Sequence, residues 1–339
     1  MKKYFMAVIM IVMSLLIVIN HTAVQASVKN TVFACLNSIL PSVFPFLIIS
    51  SLIVLSGSAA IIGKPFYPLF RFIFGTSKCS STAIILGLTA GFPIGASFCH
   101  ELYKKGEITK GEAEYLLSFC SNSGISFIFG FLGGAVFGSI KAGISIFLIQ
   151  MISSLLVGII LKNKKAKFTE FSFQDSANQP IIPIIVKSVK SSVINMAYIC
   201  GYIVFFAVLT EVVMFFLPGS LSFIVKGICE ITSASSELTG AFDRYSLVAA
   251  NGLLSWGGLS VHMQVRAVTG ELSMRPYFTG KLIHMAISML TAMIVPIDTA
   301  VRVYHESVSY TYDTKNCGIL FLLTIFIIIY CIFQNNSVK

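Results

Sequence analysis

The chain carries GLTAGFPIGAS at residues 87–97 and GLLSWGGLS at residues 252–260, two interruptions in otherwise apolar sequence. Both stretches are too rich in Gly, Pro and Ser for an unbroken helix. Inside a bilayer, backbone N–H and C=O groups freed from a helix persist only where protein or a water-filled cavity satisfies them. Paired breaks in corresponding positions of two halves indicate a solute site in a transporter. The two stretches therefore predict a transporter-like membrane protein.

Composition sets the class of the protein. Hydrophobic residues make up 56% of the chain and charged residues 11%, with a mean hydropathy of +0.87. Soluble domains contain about a quarter charged residues. We therefore expect an all-α, polytopic membrane helix bundle whose first partner is the lipid bilayer. The net charge of +10 comes from Lys and Arg in short loops, without a basic face interleaved with aromatic residues, so no nucleic acid partner is expected.

The eight cysteines form no C-x-x-C pair and lie mostly in apolar segments. Cysteines in such places are usually small buried hydrophobic residues. We therefore expect neither a disulfide nor a metal site, and no cofactor.

Apolar segments fall at about 4–20, 36–56, 79–100, 114–137, 142–161, 181–217, 244–262, 279–297 and 317–333. The first lies in residues 1–30, which have the layout of either a secretory signal or a retained anchor span. Its apolar run of about 16 residues is near the lower limit for crossing a bilayer, ~17. Retention is the favoured interpretation.

The distribution of Lys and Arg decides between two topologies. Nine crossings with the N-terminus inside place ten of these residues inside and fourteen outside, against the positive-inside bias. If 79–100 and 244–262 are instead re-entrant hairpins, sixteen lie inside and eight outside. The charges therefore predict two re-entrant, broken-helix hairpins.

The hairpin topology gives the two halves opposite orientations, which is an inverted repeat. Weak internal similarity agrees, because Gly87-Leu88 and Gly106-Glu107-Ile108 match Gly252-Leu253 and Gly270-Glu271-Leu272 at offsets of 165 and 164 residues. The predicted organisation is a first half with its connector span at 31–161, a basic cytoplasmic linker at 162–180, an inverted second half at 181–300, and a loop with a C-terminal span at 301–339.

Glycine and proline in the breaks are the first candidates for solute binding. Gly91, Pro93 and Gly95 would let the first hairpin turn tightly and bring backbone close to a ligand. Gly257 and Gly258 would do the same in the second. The alternative is a kink that serves helix packing.

Neutral polar residues at membrane depth are the second set. Ser121, Asn122 and Ser123 interrupt the helix after the first hairpin, and Asn37 and Asn195 open the long helix before each hairpin. Such side chains suit a polar, uncharged or zwitterionic solute or a coordinated cation. Hydrogen bonding between helices is the alternative.

Acidic residues within apolar sequence are candidates for ion coupling. Glu211 lies in an apolar run, where an ionised carboxylate costs ~2.5–3.5 kcal/mol unless paired or hydrated; a position at the outer interface is equally open. Glu230 and Glu237 lie in a hydroxyl-rich stretch that lines a cavity or forms an exposed loop. His262, Gln264 and Arg266 could contact an anionic group, with interfacial anchoring as the favoured alternative.

Enzyme motifs are absent from the sequence. There is no G-x-S-x-G, no G-x-x-x-x-G-K-[ST], and His100-Glu101 is not followed by the second His of H-E-x-x-H. We therefore expect no catalytic residues and no enzyme activity. His100 with Glu101 is the one adjacent acid–base pair that an enzyme acting on lipid-linked precursors could use.

At several of these residues the chain resembles the YlbJ-type sporulation integral membrane proteins, which carry the nucleoside-recognition or Gate domain. The resemblance covers about residues 30–300. It departs at Ser123-Gly124, where relatives tend to have Ser and Pro after the Asn. Its motifs are Asn37-Ser38-Ile39-Leu40-Pro41-Ser42-Val43-Phe44-Pro45-Phe46, Gly91-Phe92-Pro93-Ile94-Gly95-Ala96, Gly106-Glu107-Ile108-Thr109, Glu112-Ala113-Glu114-Tyr115-Leu116-Leu117-Ser118-Phe119, and Asn122 with Phe127-Ile128-Phe129-Gly130.

The resemblance implies a multi-pass protein of the mother-cell or forespore membrane that is needed for the spore cortex. Combined with the paired breaks, it leads us to expect a secondary transporter or permease for a small polar solute. The alternative is a membrane scaffold that transports nothing and recruits other sporulation membrane proteins. Whether the protein forms a homo-oligomer is left open by the sequence.

Overall fold

A computed structural model describes residues 2–162, 180–238 and 242–296, and these residues form helices without a β-strand. The α-helices are α1 (Lys2–Ile19), α2 (His21–Ala34), α3 (Leu40–Leu55), α4 (Ala59–Gly63), α5 (Tyr67–Phe74), α6 (Lys78–Thr89), α7 (Ile94–Lys104), α8 (Lys110–Leu117), α9 (Ile140–Ile160), α10 (Ile181–Met214), α11 (Ser222–Cys229), α12 (Ile231–Ser236), α13 (Arg244–Trp256), α14 (Gly258–Val268) and α15 (Arg275–Ile294). π-Helical segments cover Cys35–Ile39 and Ser126–Val136, and a 3₁₀ turn covers Gly219–Leu221.

Three of these helices, α9, α10 and α15, are long and apolar enough to cross a membrane, and the number rises to five if each of two sharply bent helix pairs counts as one span. The prediction of an all-α, polytopic membrane bundle is confirmed. Most of the predicted linker at 162–180 and the whole C-terminal segment 301–339 lie outside the described residues.

The first broken segment is a helical hairpin formed by α6 and α7. Its two arms pack closely, since a Cβ on Gly95 would lie 2.8 Å from the Cα of Gly87. Its open ends meet, because the Cys79 thiol at the start of α6 lies beside the Glu107 carboxyl just after α7. The segment therefore turns back towards the side from which it came.

The start of α6 is also tied to α8. The Ser77 amide and the Ser80 hydroxyl both donate to Oε1 of Glu112, at 2.8 and 2.5 Å. We call this end of the bundle, where α6, α8 and α15 begin, the basic end. The start of α15 belongs to it because the Ser273 amide donates to Oε1 of Glu114 at 2.9 Å.

The second broken segment, α13 with α14, passes along α15 from one end to the other. Arg244 donates to the Ala292 carbonyl at 2.7 Å, Ser255 and Ser288 hydroxyls lie 2.7 Å apart, and His262 Nδ1 lies 2.9 Å from the Tyr277 hydroxyl. The contacts run in opposite order along the broken segment and along α15. The broken segment therefore begins at the end opposite to the basic end and finishes at the basic end. The break at Gly257 is as predicted, but the segment does not return to its side of entry.

A second hairpin occurs one element earlier than the sequence predicted, in α11 and α12. The Lys226 ammonium lies 2.7 Å from the Glu237 carboxylate, which joins the two arms near their open end, and the chain reverses at Glu230. Leu238, just after α12, shares a hydrophobic cluster with Phe137 and Phe242 at the end opposite to the basic one. The two hairpins therefore open towards opposite ends of the bundle.

The helix after the first hairpin is broken as well. It consists of α8, a non-helical stretch at 118–124 and the π-helical segment Ser126–Val136. It runs beside α9, as the hydrogen bond from the Tyr115 hydroxyl to the Gly158 carbonyl at 2.6 Å shows. This broken helix leaves the basic end, whereas α13 with α14 arrives there. The inverted repeat itself stays a prediction.

Candidate solute-binding cavity

A cavity of about 80 Å³ lies where the tips of both hairpins meet both broken helices. A water molecule needs ~10–15 Å³ measured in this way. The cavity therefore has room for several waters or for a solute of a few heavy atoms. Its walls are formed by Ile39, Val43, Ala90, Gly91, Phe92, Ser123, Gly124, Ser126, Phe127, Ile199, Ile203, Glu230, Ile231, Thr232, Val261 and Gln264.

The tip of the first hairpin, between α6 and α7, touches the break that follows α8 through backbone atoms. A Cβ on Gly91 would lie 2.6 Å from the Gly124 nitrogen, and a Cβ on Gly124 would lie 2.8 Å from the Ala90 carbonyl oxygen. Gly91 also has a φ of +92°, which L side chains rarely adopt. Both positions thus favour glycine in this chain.

The tip of the second hairpin, between α11 and α12, makes the equivalent contact with the break between α13 and α14. A Cβ on Gly258 would lie 3.1 Å from the Cys229 carbonyl oxygen and 3.2 Å from the Glu230 nitrogen. The neighbouring Gly257 has a φ of +86° and faces the Phe92 ring of the first hairpin. The two tips and the two breaks therefore form one continuous arrangement around the cavity.

Polar atoms at the first break have no hydrogen-bond partner in the described part of the chain. They are the hydroxyls of Ser121 and Ser123 and the Oδ1 atom of Asn122, in side chains that are at most 4% exposed. The amide nitrogen of Asn122, by contrast, donates to the Phe119 carbonyl at 2.7 Å and the Ser154 hydroxyl at 3.0 Å. Because an unpaired buried polar atom costs ~1–3 kcal/mol, water or a polar solute is the natural partner.

Glu230 brings a carboxylate to the cavity wall. It is 4% exposed, and its two oxygens accept from the Thr232 and Ser233 amides at 2.9 Å each, so it caps α12. These bonds hold the carboxylate at the second hairpin tip. Of the three acidic residues considered for ion coupling, Glu230 is the one that the fold brings to the cavity.

The other two acidic candidates lie elsewhere. Glu237 pairs with Lys226 and accepts from the Ser222 hydroxyl near the open end of the second hairpin. Glu211 is half-buried near the end of α10. Neither belongs to the cavity wall.

The remaining predicted site residues are divided between wall and scaffold. Gly91 and Ser123 line the cavity, and Gly95 serves the packing of the hairpin arms. Ser121, Asn122, Pro93 and Gly258 are not part of the wall. Asn37 is exposed and donates to the Phe33 carbonyl of its own helical stretch at 2.9 Å, and Asn195 is half-buried on α10. His100 of the considered acid–base pair lies against Gly270 at the basic end.

Sequence reasoning missed most of the wall residues, Phe92 and Gly124 among them, and misjudged Gln264. Phe92 and Gly124 were part of quoted motifs, but their roles depend on contacts between segments that are distant in sequence. Gln264 was favoured as an interfacial anchor, yet it is 4% exposed, as is expected for a side chain that faces the interior. The sequence signal that could have identified Gln264 as a wall residue is its position on α14, six residues after Gly258.

Comparison with known proteins gives one informative match. A curated protein of Bacillus subtilis (strain 168), sporulation integral membrane protein YlbJ, is 26% identical to this chain over 82% of the chain and 78% of the relative. No protein-family model and no solved structure matches, so the nucleoside-recognition or Gate label stays a prediction. A match of this extent, together with the apolar helices, supports the predicted resemblance to the YlbJ-type proteins and shows a multi-pass membrane protein.

Proposed function

We propose that this protein is a secondary transporter for a small polar solute. The observation that carries the proposal is the cavity at the meeting point of two hairpin tips and two helix breaks. Irregular backbone at membrane depth is tolerated where it lines a cavity, and transporters place their solute at such breaks. The unpartnered Ser123 hydroxyl lies in the cavity wall and supplies a polar group that such a solute would contact.

The size and lining of the cavity constrain the solute. A cavity of 150 Å³ is known to hold benzene, so one of about 80 Å³ suits a smaller molecule unless the walls move. Most wall residues are apolar, while Ser123, Glu230 and Gln264 provide a few polar groups that can fix orientation. A compact solute with several hydrogen-bonding groups fits this description better than a large or wholly apolar one.

The arrangement also suggests how access could alternate. We infer two units of opposite orientation, each made of a hairpin, a broken helix and a final helix. Their broken helices start at Lys110 and Arg244, 134 residues apart, and the contact glycines Gly124 and Gly258 have the same spacing. Movement of one hairpin against its own break would open the cavity to one side while the other hairpin keeps it closed.

The process that we assign to the transporter is taken from the name of the curated relative. Its printed name places that protein in sporulation and in a membrane. We propose that this chain acts in the mother-cell or forespore membrane and that its solute is needed for formation of the spore cortex.

Solute exchange in liposomes tests the proposal. The purified full chain is reconstituted and assayed for counterflow of labelled amino acids, nucleosides, monosaccharides and polyols. We expect saturable exchange of at least one solute, reduced in Gly124→Ala and retained in Gly111→Ala, since a Cβ at Gly111 meets nothing within 4 Å. Absence of exchange across the whole panel would favour the scaffold alternative.

A further inference from the structure

Lys281 is a buried lysine of α15 without a counter-ion in the described part of the chain. Its side chain is 2% exposed, and its Nζ atom has no hydrogen-bond partner there. Burying an ammonium group without a partner is among the most unfavourable arrangements in a protein interior. Lysines of this kind within a membrane protein are a functional-site hypothesis by default.

The groups around Lys281 are aromatic rings and histidine side chains. Its Nζ atom lies 4.5 Å from the Phe92 ring centroid and 6.0 Å from that of Tyr277. His262 and His284 are close enough to act on it electrostatically, and neither is more than 3% exposed. No carboxylate contacts the lysine within the described ranges.

The two histidines differ in their hydrogen bonding. Nε2 of His284 lies 3.2 Å from the Gln150 carbonyl, which can only accept, so this nitrogen carries its proton and is satisfied. Nδ1 of His262 lies 2.9 Å from the Tyr277 hydroxyl, but its Nε2 atom has no partner. Lys281 Nζ and His262 Nε2 are therefore two unpartnered, buried nitrogen atoms of one cluster.

The start of α14 adds a partial positive charge to that of Lys281. This helix of eleven residues begins at Gly258 with no side chain capping its first amides. The N-terminal end of a helix carries a partial positive charge and free N–H groups that favour anions. Gly257, directly before it, faces the same Phe92 ring that lies against Lys281.

Phe92 connects this cluster to the cavity. It is part of the cavity wall and at the same time covers Lys281. A change of its side-chain orientation would bring the ammonium group and the start of α14 into contact with the cavity contents.

We propose that Lys281, His262 and the N-terminus of α14 form a binding site for one oxyanion, a carboxylate or a phosphate, carried by the solute. The proposal rests on the proposed transport function and names the solute as an anionic or zwitterionic molecule. Binding of the oxyanion supplies the counter-charge that Lys281 lacks, and the oxyanion accepts a hydrogen bond from His262 Nε2–H in the tautomer whose Nδ1 accepts from the Tyr277 hydroxyl. Phe92 acts as the cover that separates the site from the empty cavity.

Binding of small probe anions tests this site without any transport assay. The thermal unfolding midpoint of the purified full chain is measured against increasing sodium acetate, sodium phosphate and acetamide, at constant ionic strength set with sodium chloride. We expect acetate or phosphate to raise the midpoint in a saturable way, and acetamide, the uncharged analogue of acetate, to leave it unchanged. Which of the two anions acts identifies the oxyanion.

Two variants and a control decide whether Lys281 and His262 are responsible for the response to the anions. Lys281→Met and His262→Gln should each weaken the apparent affinity at least tenfold. Lys226→Met, which removes a lysine from the partly exposed pair with Glu237, should leave it unchanged. An undiminished response in both cluster variants, an equal response to acetamide, or no response to either anion would overturn the proposal. Anion binding through Lys281 without any solute exchange would contradict the proposed function alone.

Discussion

The ammonium group of Lys281 is the residue-scale feature with the largest expected energetic effect. Replacing a buried, unpaired charge by an apolar side chain of similar length removes its desolvation cost. Replacement of buried charged groups by well-packed apolar residues is often neutral or stabilising by ~1–4 kcal/mol. Lys281→Met should therefore raise the thermal unfolding midpoint in the absence of anions.

The same variant separates a ligand site from a structural role. If Lys281 stabilised the bundle through contacts with Phe92 and Tyr277, its replacement would lower the midpoint instead. Differential scanning fluorimetry of both proteins in chloride buffer gives the comparison. A lower midpoint for Lys281→Met would contradict the assignment of an uncompensated charge.

Gly124 and Gly111 form a matched pair for the contact between the first hairpin and its break. A methyl group at Gly124 would lie 2.8 Å from the Ala90 carbonyl oxygen, so the backbones must separate, and overpacking of this kind costs ~1–3 kcal/mol. A methyl group at Gly111 points into open space at the start of α8. We expect a lower unfolding midpoint for Gly124→Ala and an unchanged or slightly higher one for Gly111→Ala. Equal midpoints would show that the two backbones are not in contact.

At the scale of elements, composition predicts where helices break but not how they continue. The Gly and Pro residues at 87–97 and the pair Gly257-Gly258 mark breaks that the structure contains. The same glycines allow the chain either to reverse or to go on, and that choice depends on packing. For α13 and α14, contact with α15 along its whole length selects continuation.

The second hairpin could not be recognised because its signals are weak. Its arms have eight and six residues, and the reversal occurs at Glu230 rather than at Gly or Pro. The Glu230 carboxylate caps the second arm through two backbone amides, a pattern that the sequence Glu-Ile-Thr-Ser permits but does not demand. The hydroxyl-rich composition of this stretch therefore indicated either a cavity wall or a loop. In the structure the hairpin tip forms part of the cavity wall.

The sidedness of three exposed positions tests the element arrangement. Single cysteines replace Lys104 after the first hairpin, Glu271 after α14, and Tyr245 at the start of α13, in a background without native cysteines. Because the first hairpin returns and the second broken helix crosses, Lys104→Cys and Glu271→Cys should react with an impermeant thiol reagent from one side, and Tyr245→Cys from the other.

The predicted side for the first two positions is the cytoplasm, so they should react only after intact cells are permeabilised. Tyr245→Cys should react in intact cells. Reaction of Lys104→Cys and Glu271→Cys from different sides would exclude this arrangement of the two broken segments.

At the scale of the molecule, the sequence predicts the class and the orientation better than the site. Hydropathy predicts the polytopic helical bundle, and charge counting predicts the return of the first hairpin. The crossing of α13 with α14 places Arg266 and Arg275 at the basic end together with Lys104 and Lys110. The positive-inside rule thus supports the observed arrangement as well.

The cavity itself depends on contacts between distant parts of the chain. Gly91 meets Gly124 across 33 residues, and Phe92 meets Lys281 across 189. Such pairs leave no periodic or local pattern in one sequence. Single residues such as Gly91, Ser123 and Glu230 were therefore predictable as candidates, but the way in which they combine was not.

Accessibility of the cavity from both sides of the membrane is the most direct test of the transport account, since it requires no knowledge of the solute. Ser123→Cys places a thiol in the cavity wall, and Ser153→Cys places one in α9, in a side chain that is fully buried and outside that wall. Both are made without native cysteines and exposed to an impermeant thiol reagent in right-side-out and inside-out vesicles. The account predicts that Ser123→Cys reacts in both kinds of vesicle and Ser153→Cys in neither; reaction of Ser123→Cys from one side only, or from none, would contradict it.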